Sequence, residues 1–429
     1  MRAYLHTLGC KVNAVETDSI AALLRDAGHT ITDVPADADL IVLNTCTVTA
    51  SGDHRMRRTL HRLRAAAPGA VIVLTGCYVQ AFPDDAAALP EADILVGMGG
   101  RAQIPALAAA FREDGTRRTL CLPHPRGEAF ETLPVGTDAA HTRAFLKLQD
   151  GCDRFCTYCI IPYARGRSRS CSAAQLRADA AALVGKGYRE IVLCGIDLAA
   201  WQDGPLDLAD AAAICADAGA ERIRLGSLEP QGLSRDMLAR LAAVPGVCPQ
   251  LHIASQSGSD RILAAMHRRC TSAQFLALLD DVRAFFPDCA VSTDIMTGFP
   301  GETDADHAAS LAFAERAGFA RMHVFRWSPR PGTPAASYPD QVPEAVKKAR
   351  AEALQALSAR QYGAFLGSCV GGTEAVLFER ERDGVHRGHT PRFAPVRIPA
   401  APDAPSLRGQ VRQVRIVGVE EGALAGELV

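Results

Sequence analysis

Six short apolar runs, at residues 145–148, 191–194, 223–225, 251–254, 291–296 and 322–325, recur through the middle of the chain, each followed by a helical stretch. No other feature constrains the fold as strongly. Parallel strands joined by crossover helices are buried on both faces, so they read as continuous apolar runs rather than alternating ones. Six such units suit an incomplete (β/α)6 barrel of the TIM type, with a doubly wound sheet as the rival.

The flanks have different textures. Apolar runs at 2–8, 39–44, 70–75 and 93–96, separated by amphipathic segments, predict a parallel α/β domain over 1–121. Residues 122–140 carry Pro123, Pro125, Gly127, Pro134 and Gly136 with little periodicity and read as a linker. The barrel domain then spans 141–366, ending in an amphipathic helix that starts after Pro343, a residue suited to a helix's first turn. From 367 to 429 the runs shorten and alternate, at 374–379, 393–398 and 410–419, broken by Gly and Pro. This predicts a small OB-like β-barrel at the end of an otherwise α/β chain.

Composition narrows the function. No stretch of about 18 uncharged apolar residues occurs, and no apolar signal core follows Met1, so the expectation is a cytoplasmic chain with no membrane role. In a reducing compartment its 14 cysteines point to metal or catalytic use rather than to disulfides. With 46 Lys and Arg against 48 Asp and Glu, any nucleic-acid contact must come from local patches.

The strongest local signal is Gly151-Cys152-Asp-Arg-Phe-Cys156-Thr-Tyr-Cys159, just after the first barrel strand. Three thiolates within eight residues can wrap one face of an iron–sulfur cluster and leave one iron without a protein ligand. Zinc is the weaker reading, because a structural zinc site wants four ligands and no second Cys-x-x-Cys pair occurs. Cys10, Cys46 and Cys77 each follow a strand expected in the N-terminal sheet. Parallel strands end on one edge, so the three can converge on a second site; inert cysteines at strand ends are the alternative.

The C-x3-C-x2-C loop resembles the radical S-adenosylmethionine (SAM) superfamily. There the open iron is held by SAM, which is cleaved reductively to a 5′-deoxyadenosyl radical. By that resemblance Tyr158 lies near the SAM adenine, or else only shapes the loop. Thr7-Leu-Gly-Cys10-Lys-Val-Asn13, Asn44-Thr-Cys46-Thr-Val and Thr75-Gly-Cys77 resemble the N-terminal domain of the methylthiotransferases, radical SAM enzymes with a second, auxiliary cluster. The resemblance continues through His252-Ile-Ala-Ser-Gln256-Ser-Gly-Ser-Asp260, Asp294-Ile-Met-Thr-Gly298-Phe-Pro-Gly-Glu302 and Ser328-Pro-Arg330-Pro-Gly332-Thr333 to a C-terminal barrel like the family's TRAM domain, an RNA-binding module.

The resemblance implies two [4Fe–4S] clusters, an auxiliary one on Cys10, Cys46 and Cys77 and a SAM-binding one on Cys152, Cys156 and Cys159. It implies SAM as methyl donor and radical source, a tRNA anticodon stem-loop as partner, and an electron donor such as flavodoxin or ferredoxin. Within the family, Gly9-Cys10-Lys11-Val12-Asn13 is most similar to the MtaB-type enzymes, which implies methylthiolation at C2 of N6-threonylcarbamoyladenosine at position 37. The same chemistry on isopentenyladenosine tRNA or on a ribosomal protein is the alternative. A radical SAM enzyme with an electron-relay cluster and an RNA-binding iron–sulfur scaffold are more distant ones. An unactivated C–H bond resists acid–base catalysis, which suits delegation to a cofactor radical.

Candidate phosphate contacts are Arg55, Arg57 and Arg58, with Arg62 and Arg64, on a helix after Cys46, and Arg165, Arg167 and Arg169 after the SAM-cluster loop. A solvated helix face is the other reading for any one of them. In the C-terminal barrel, Arg392 and Phe393 are the candidate stacking contacts. His252, Gln256, Asp294 and Glu302 are candidates for lining or shaping the barrel cavity.

Overall fold

A computed structural model describes residues 1–136, 141–400 and 405–429. The last four residues of the expected linker, 137–140, lie outside the described residues, as do 401–404 of the C-terminal segment. The chain divides into two compact units. The first comprises Met1–Asp138, Gln149–Cys171 and Ser328–Ser337, and the second Ala139–Leu148, Ser172–Trp327 and Tyr338–Val429.

The first unit is built on a parallel sheet of β1 (Arg2–Thr7), β2 (Thr30–Ile31), β3 (Leu40–Thr45), β4 (Val71–Gly76), β5 (Ile94–Val96) and β6 (Arg118–Leu120), ordered β2-β1-β3-β4-β5-β6. Every residue of β3 and β4 is buried. The strand period of two sends Ile41, Leu43, Ile72 and Leu74 to one face. There they pack on Met56, Leu60 and Leu63 of α2 (Ala50–Ala66). Leu40, Val42, Val71 and Val73 go to the other face, against Ile20 and Leu24 of α1 (Lys11–Asp26) and against Ile104 and Ala108. A short α3 (Cys77–Ala81) follows β4 without a loop.

Residues 122–136 form no helix or strand, and they are pinned to this unit. The Glu131 carboxylate accepts from Arg101 Nε at 2.8 Å, and His124 Nε2 donates to the Ala164 carbonyl at 3.1 Å.

In the second unit the six expected strands are present. Arg143–Lys147, Glu190–Cys194 and Arg222–Leu225 form one parallel sheet, and Ser227–Leu228, Gln250–Ile253, Ala290–Thr297 and Arg321–Arg326 another, with Gly226 interrupting the third strand between them. Each strand lies beside its predecessor in sequence. That is the order of a barrel wall, whereas a doubly wound sheet would reverse at a switch point.

The helix Glu344–Ser368 leads into a closed five-stranded barrel around Val376, Phe378, Val396, Ile398, Val414, Ile416 and Leu424. This barrel is fastened to the N-terminal ends of the parallel strands. Glu190, fully buried, pairs with Arg222 Nε and Arg224 Nε at 2.8 Å each. Arg222 in turn donates to the carbonyls of Ala375, His389 and Thr390 at 3.0, 3.2 and 2.9 Å. The C-terminal ends of the strands, where such barrels carry their chemistry, are the opposite edge. Among the described residues no helix is long and apolar enough to cross a membrane.

Candidate metal centre

β1, β3 and β4 are parallel neighbours, so their C-terminal ends share one edge of the sheet. Cys10 sits at the N-cap of α1, Cys46 directly follows β3, and Cys77 is the first residue of α3. Two glycines allow the close approach. Gly9 has φ +128° and a Cβ there would fall 2.5 Å from Cys46 Cβ; Gly76 has φ +103° and a Cβ would fall 2.4 Å from the Thr45 carbonyl oxygen. Neither position admits a side chain, which explains the Gly-Cys pairs at both ends.

The three thiols act on one another. Burial pushes the Cys77 thiol up to about 12; Arg165 opposes the shift, while Cys46, Glu16 and Cys10 add to it. Burial likewise raises Cys46, with Cys10 adding to it. Beneath them lies a buried amide network. Cys10 Sγ donates to Asn13 Oδ1 at 3.3 Å, Asn13 Nδ2 donates to the Thr45 carbonyl at 2.9 Å, and Asn44 Nδ2 donates to the Asn13 carbonyl at 2.9 Å.

Arg165 is fully buried in this network. Its Nε donates to Cys77 Sγ at 3.2 Å, Nη1 to Glu16 Oε1 at 2.9 Å and Asp150 Oδ1 at 3.0 Å, and Nη2 to Asn13 Oδ1 at 3.0 Å. The phosphate-binding role expected for Arg165 is therefore corrected, because every edge of its guanidinium is occupied inside the unit. Glu16 and Asp150 carry no motif of their own; for Glu16 the signal in the sequence is the helical spacing of Asn13, Glu16, Thr17 and Ile20 on α1, all of them buried.

Cys152, Cys156 and Cys159 belong to the same unit. Cys156 is buried, and Cys152, Cys159 and Tyr158 are half-buried. Gly151, at φ +69°, lets the loop pass so close to its return strand that a Cβ would lie 2.0 Å from the Arg167 carbonyl oxygen. Cys152 N donates to the Gly166 carbonyl at 3.1 Å and Arg154 N to Cys152 Sγ at 3.4 Å.

Residues 328–337 pin both cysteine loops. Arg330 Nη2 reaches Thr47 Oγ1 and Asp53 Oδ2, each at 2.6 Å, Ser328 Oγ accepts from Ala50 N at 3.2 Å, and Ala335 N donates to the Thr157 carbonyl at 2.9 Å. The Ser328-Pro-Arg330-Pro-Gly332-Thr333 motif carries no local signal for this role of Arg330, whose partners are remote in sequence.

The other arginines separate by exposure. Arg55, Arg58 and Arg62 are exposed on α2. Arg57, also exposed, bonds the Tyr78 hydroxyl at 2.6 Å, next to Cys77. Arg64 is held by Asp93 and backbone carbonyls, and Arg169 is buried against the Arg165 carbonyl. Arg167 is exposed, paired with Asp153 at 3.1 Å and lying 4.5 Å from the Phe155 ring centroid.

In the second unit, His252 bonds Ser292 at 3.0 Å and faces Asp294 at 3.2 Å. Gln256, at φ +73°, is buried, and among the described residues its Oε1 has no hydrogen-bond partner. Glu302 is a structural clamp: it accepts from Gly298 N at 3.0 Å and Arg350 Nη1 at 2.7 Å. The stacking role expected for Phe393 is corrected. His389 stacks on its ring at 4.4 Å, and the Arg143 and Arg224 guanidinium carbons lie 5.0 and 4.8 Å from its centroid. Arg392 is paired with Glu374.

By its chemistry, a donor set of two cysteine triplets, one with a buried guanidinium against it, suits anionic iron–sulfur clusters, whose ligand sulfurs are stabilised by such donors; among the described residues no three of these side chains stand together as a ready-made metal-holding group. Residues 2–97 match the family described as "Uncharacterized protein family UPF0004", and residues 146–314 match the radical SAM superfamily. The chain is 35% identical to a protein of Maricaulis maris named tRNA-2-methylthio-N(6)-dimethylallyladenosine synthase, over 100% of this chain and 97% of that one. A Cereibacter sphaeroides protein of the same name is 35% identical over 100% of this chain and 98% of its own. Among solved structures, the radical S-adenosylmethionine methyltransferase TsrM from Kitasatospora setae shares the fold, with a TM-score of 0.59 at 16% identity over 78% of this chain and 77% of that one.

Proposed function

The chain belongs to the methylthiotransferase family of radical SAM enzymes, and on that premise we propose that it methylthiolates C2 of N6-dimethylallyladenosine, or isopentenyladenosine, in tRNA. The names of both full-length relatives support this substrate over the threonylcarbamoyl one expected from the sequence.

The family's cofactors are two [4Fe–4S] clusters and SAM. Cys10, Cys46 and Cys77 would hold the auxiliary cluster and Cys152, Cys156 and Cys159 the SAM-binding one. Bound there, they would supply the radical that removes the C2 hydrogen and the sulfur and methyl group that take its place. The observation that carries this reading is that both cysteine triplets lie in one compact unit, with Arg165 hydrogen-bonded to Cys77 and to Asp150, two residues before Cys152.

The protein's own residues supply position. Gly9, Gly76 and Gly151 let the loops close, the amide network of Asn13 and Asn44 fixes the two strand ends, and residues 328–337 brace both loops. Exposed Arg55 and Arg58, close in sequence to Cys46, are suited to hold tRNA phosphates.

One observation favours a second reading. Gly9-Cys10-Lys11-Val12-Asn13 is the motif variant that resembles the threonylcarbamoyladenosine enzymes. Mass spectrometry of tRNA nucleosides from a host with and without the gene decides between the two. Loss of 2-methylthio-N6-dimethylallyladenosine, with its unthiolated precursor accumulating, is expected. Loss of the threonylcarbamoyl product instead would select the second reading, and an unchanged profile would reject both.

A further inference from the structure

We infer that Arg165 is a positioning residue that raises the reduction potential of the cluster held by Cys10, Cys46 and Cys77. This rests on the reading of those cysteines as cluster ligands. A guanidinium hydrogen-bonded to a ligand sulfur stabilises the extra negative charge that the cluster gains on reduction, so it favours the reduced form. The geometry is specific. Arg165 Nε points at Cys77 Sγ at 3.2 Å, and Nη2 reaches Asn13 Oδ1, the same atom that accepts from Cys10 Sγ.

The guanidinium has no freedom to turn away. Glu16 accepts from both terminal nitrogens at 2.9 and 3.1 Å, and Asp150 Oδ1 accepts from Nη1 at 3.0 Å. That same Asp150 oxygen accepts from Gly151 N at 2.8 Å, immediately before Cys152. One buried cation thus bonds one sulfur directly and, through Asp150, the backbone leading into the other cysteine loop. Its two carboxylate partners prevent a tilt that would break the sulfur contact.

The test uses the full chain with Cys152, Cys156 and Cys159 replaced by Ala, so that only the cluster in question is loaded. Its midpoint potential is read by electron paramagnetic resonance during a redox titration, without SAM or tRNA. Arg165→Lys keeps the charge against Glu16 and Asp150 but loses the planar fork; Arg165→Gln removes the charge. The expected order of potentials is parent highest, Lys lower, Gln lowest, with iron affinity in the variants reduced about 10- to 100-fold. Should the Gln variant fail to fold, the Lys variant decides alone. Potentials of the folded variants equal to the parent's overturn the inference while leaving the cluster reading intact. A parent that binds no iron at Cys10, Cys46 and Cys77 overturns both.

Discussion

Arg330 Nη2 donates to Thr47 Oγ1 at 2.6 Å, joining residues 283 positions apart in the chain. Thr47 directly follows Cys46, so a buried arginine from residues 328–337 holds the backbone that carries a candidate ligand. The same nitrogen pairs with Asp53, also at 2.6 Å.

Arg330→Ala should therefore be severe. It strips the half-buried Asp53 carboxylate of its guanidinium partner and leaves it only the Thr47 hydroxyl, a change that costs about 3–5 kcal/mol when an ion pair is fully buried. Because the Asp53 side chain keeps 19% exposure, the loss should fall toward the lower end of that range. Urea unfolding measures it, and a loss within about 0.5 kcal/mol, typical of a surface substitution, would contradict the bracing role.

Gly76→Ala should both destabilise the protein and disperse the thiols. The methyl group would meet the Thr45 carbonyl oxygen at 2.4 Å and Asn44 Oδ1 at 2.5 Å, at a φ of +103°. Strain of this kind costs on the order of 1–3 kcal/mol. Thermal unfolding and iron content per chain should fall together; a variant with full iron would show that the close approach is dispensable.

Replacing Cys10, Cys46 or Cys77 with Ala should abolish methylthiolation while SAM cleavage survives. Product nucleosides and 5′-deoxyadenosine are measured on the same sample. If cleavage also vanished in a folded variant that retained its other cluster, the proposed division of labour between the two triplets would be wrong.

In the metal-free chain, iodoacetamide should modify exposed Cys10 well before buried Cys77. With its thiol pushed up to about 12, Cys77 at pH 8 is roughly one part in 10,000 thiolate, the only reactive form. The sign is that of a raised acid: reactivity grows as pH climbs toward that value. Peptide mass spectrometry over time gives the order, and equal labelling of the two cysteines would refute it.

Replacing Arg55, Arg58 and Arg62 together with Ala should weaken tRNA binding and flatten its salt dependence. Each lost phosphate contact lowers the slope of log K against log salt by roughly 0.7–0.9. Filter binding at several salt concentrations measures the slope, and an unchanged value would assign these arginines to a merely solvated face.

The sequence by itself determined the element types and the sulfur-rich character of the candidate site. Continuous apolar runs such as Val71–Gly76 are strands because only a sheet covered on both faces buries them, and six strand–helix repeats specify a barrel wall. The short alternating runs after residue 367 likewise announced the closed terminal barrel. Spacing within one loop was enough to mark Cys152, Cys156 and Cys159 as candidate ligands, because residues that close in sequence can be read as a set without tertiary knowledge.

What only the tertiary structure decided is where the charges went. Arg165 and Arg58 look alike in sequence, yet one is enclosed by Cys77, Glu16, Asp150 and Asn13 and the other is exposed. Phe393 reads in sequence as a stacking surface, but residues from three strands already pack against its ring. Local pattern reports whether a segment is a helix, a strand or a loop. The partners of a long, charged side chain come from segments 88 or even 283 positions away, and their identity exists only once the chain has closed.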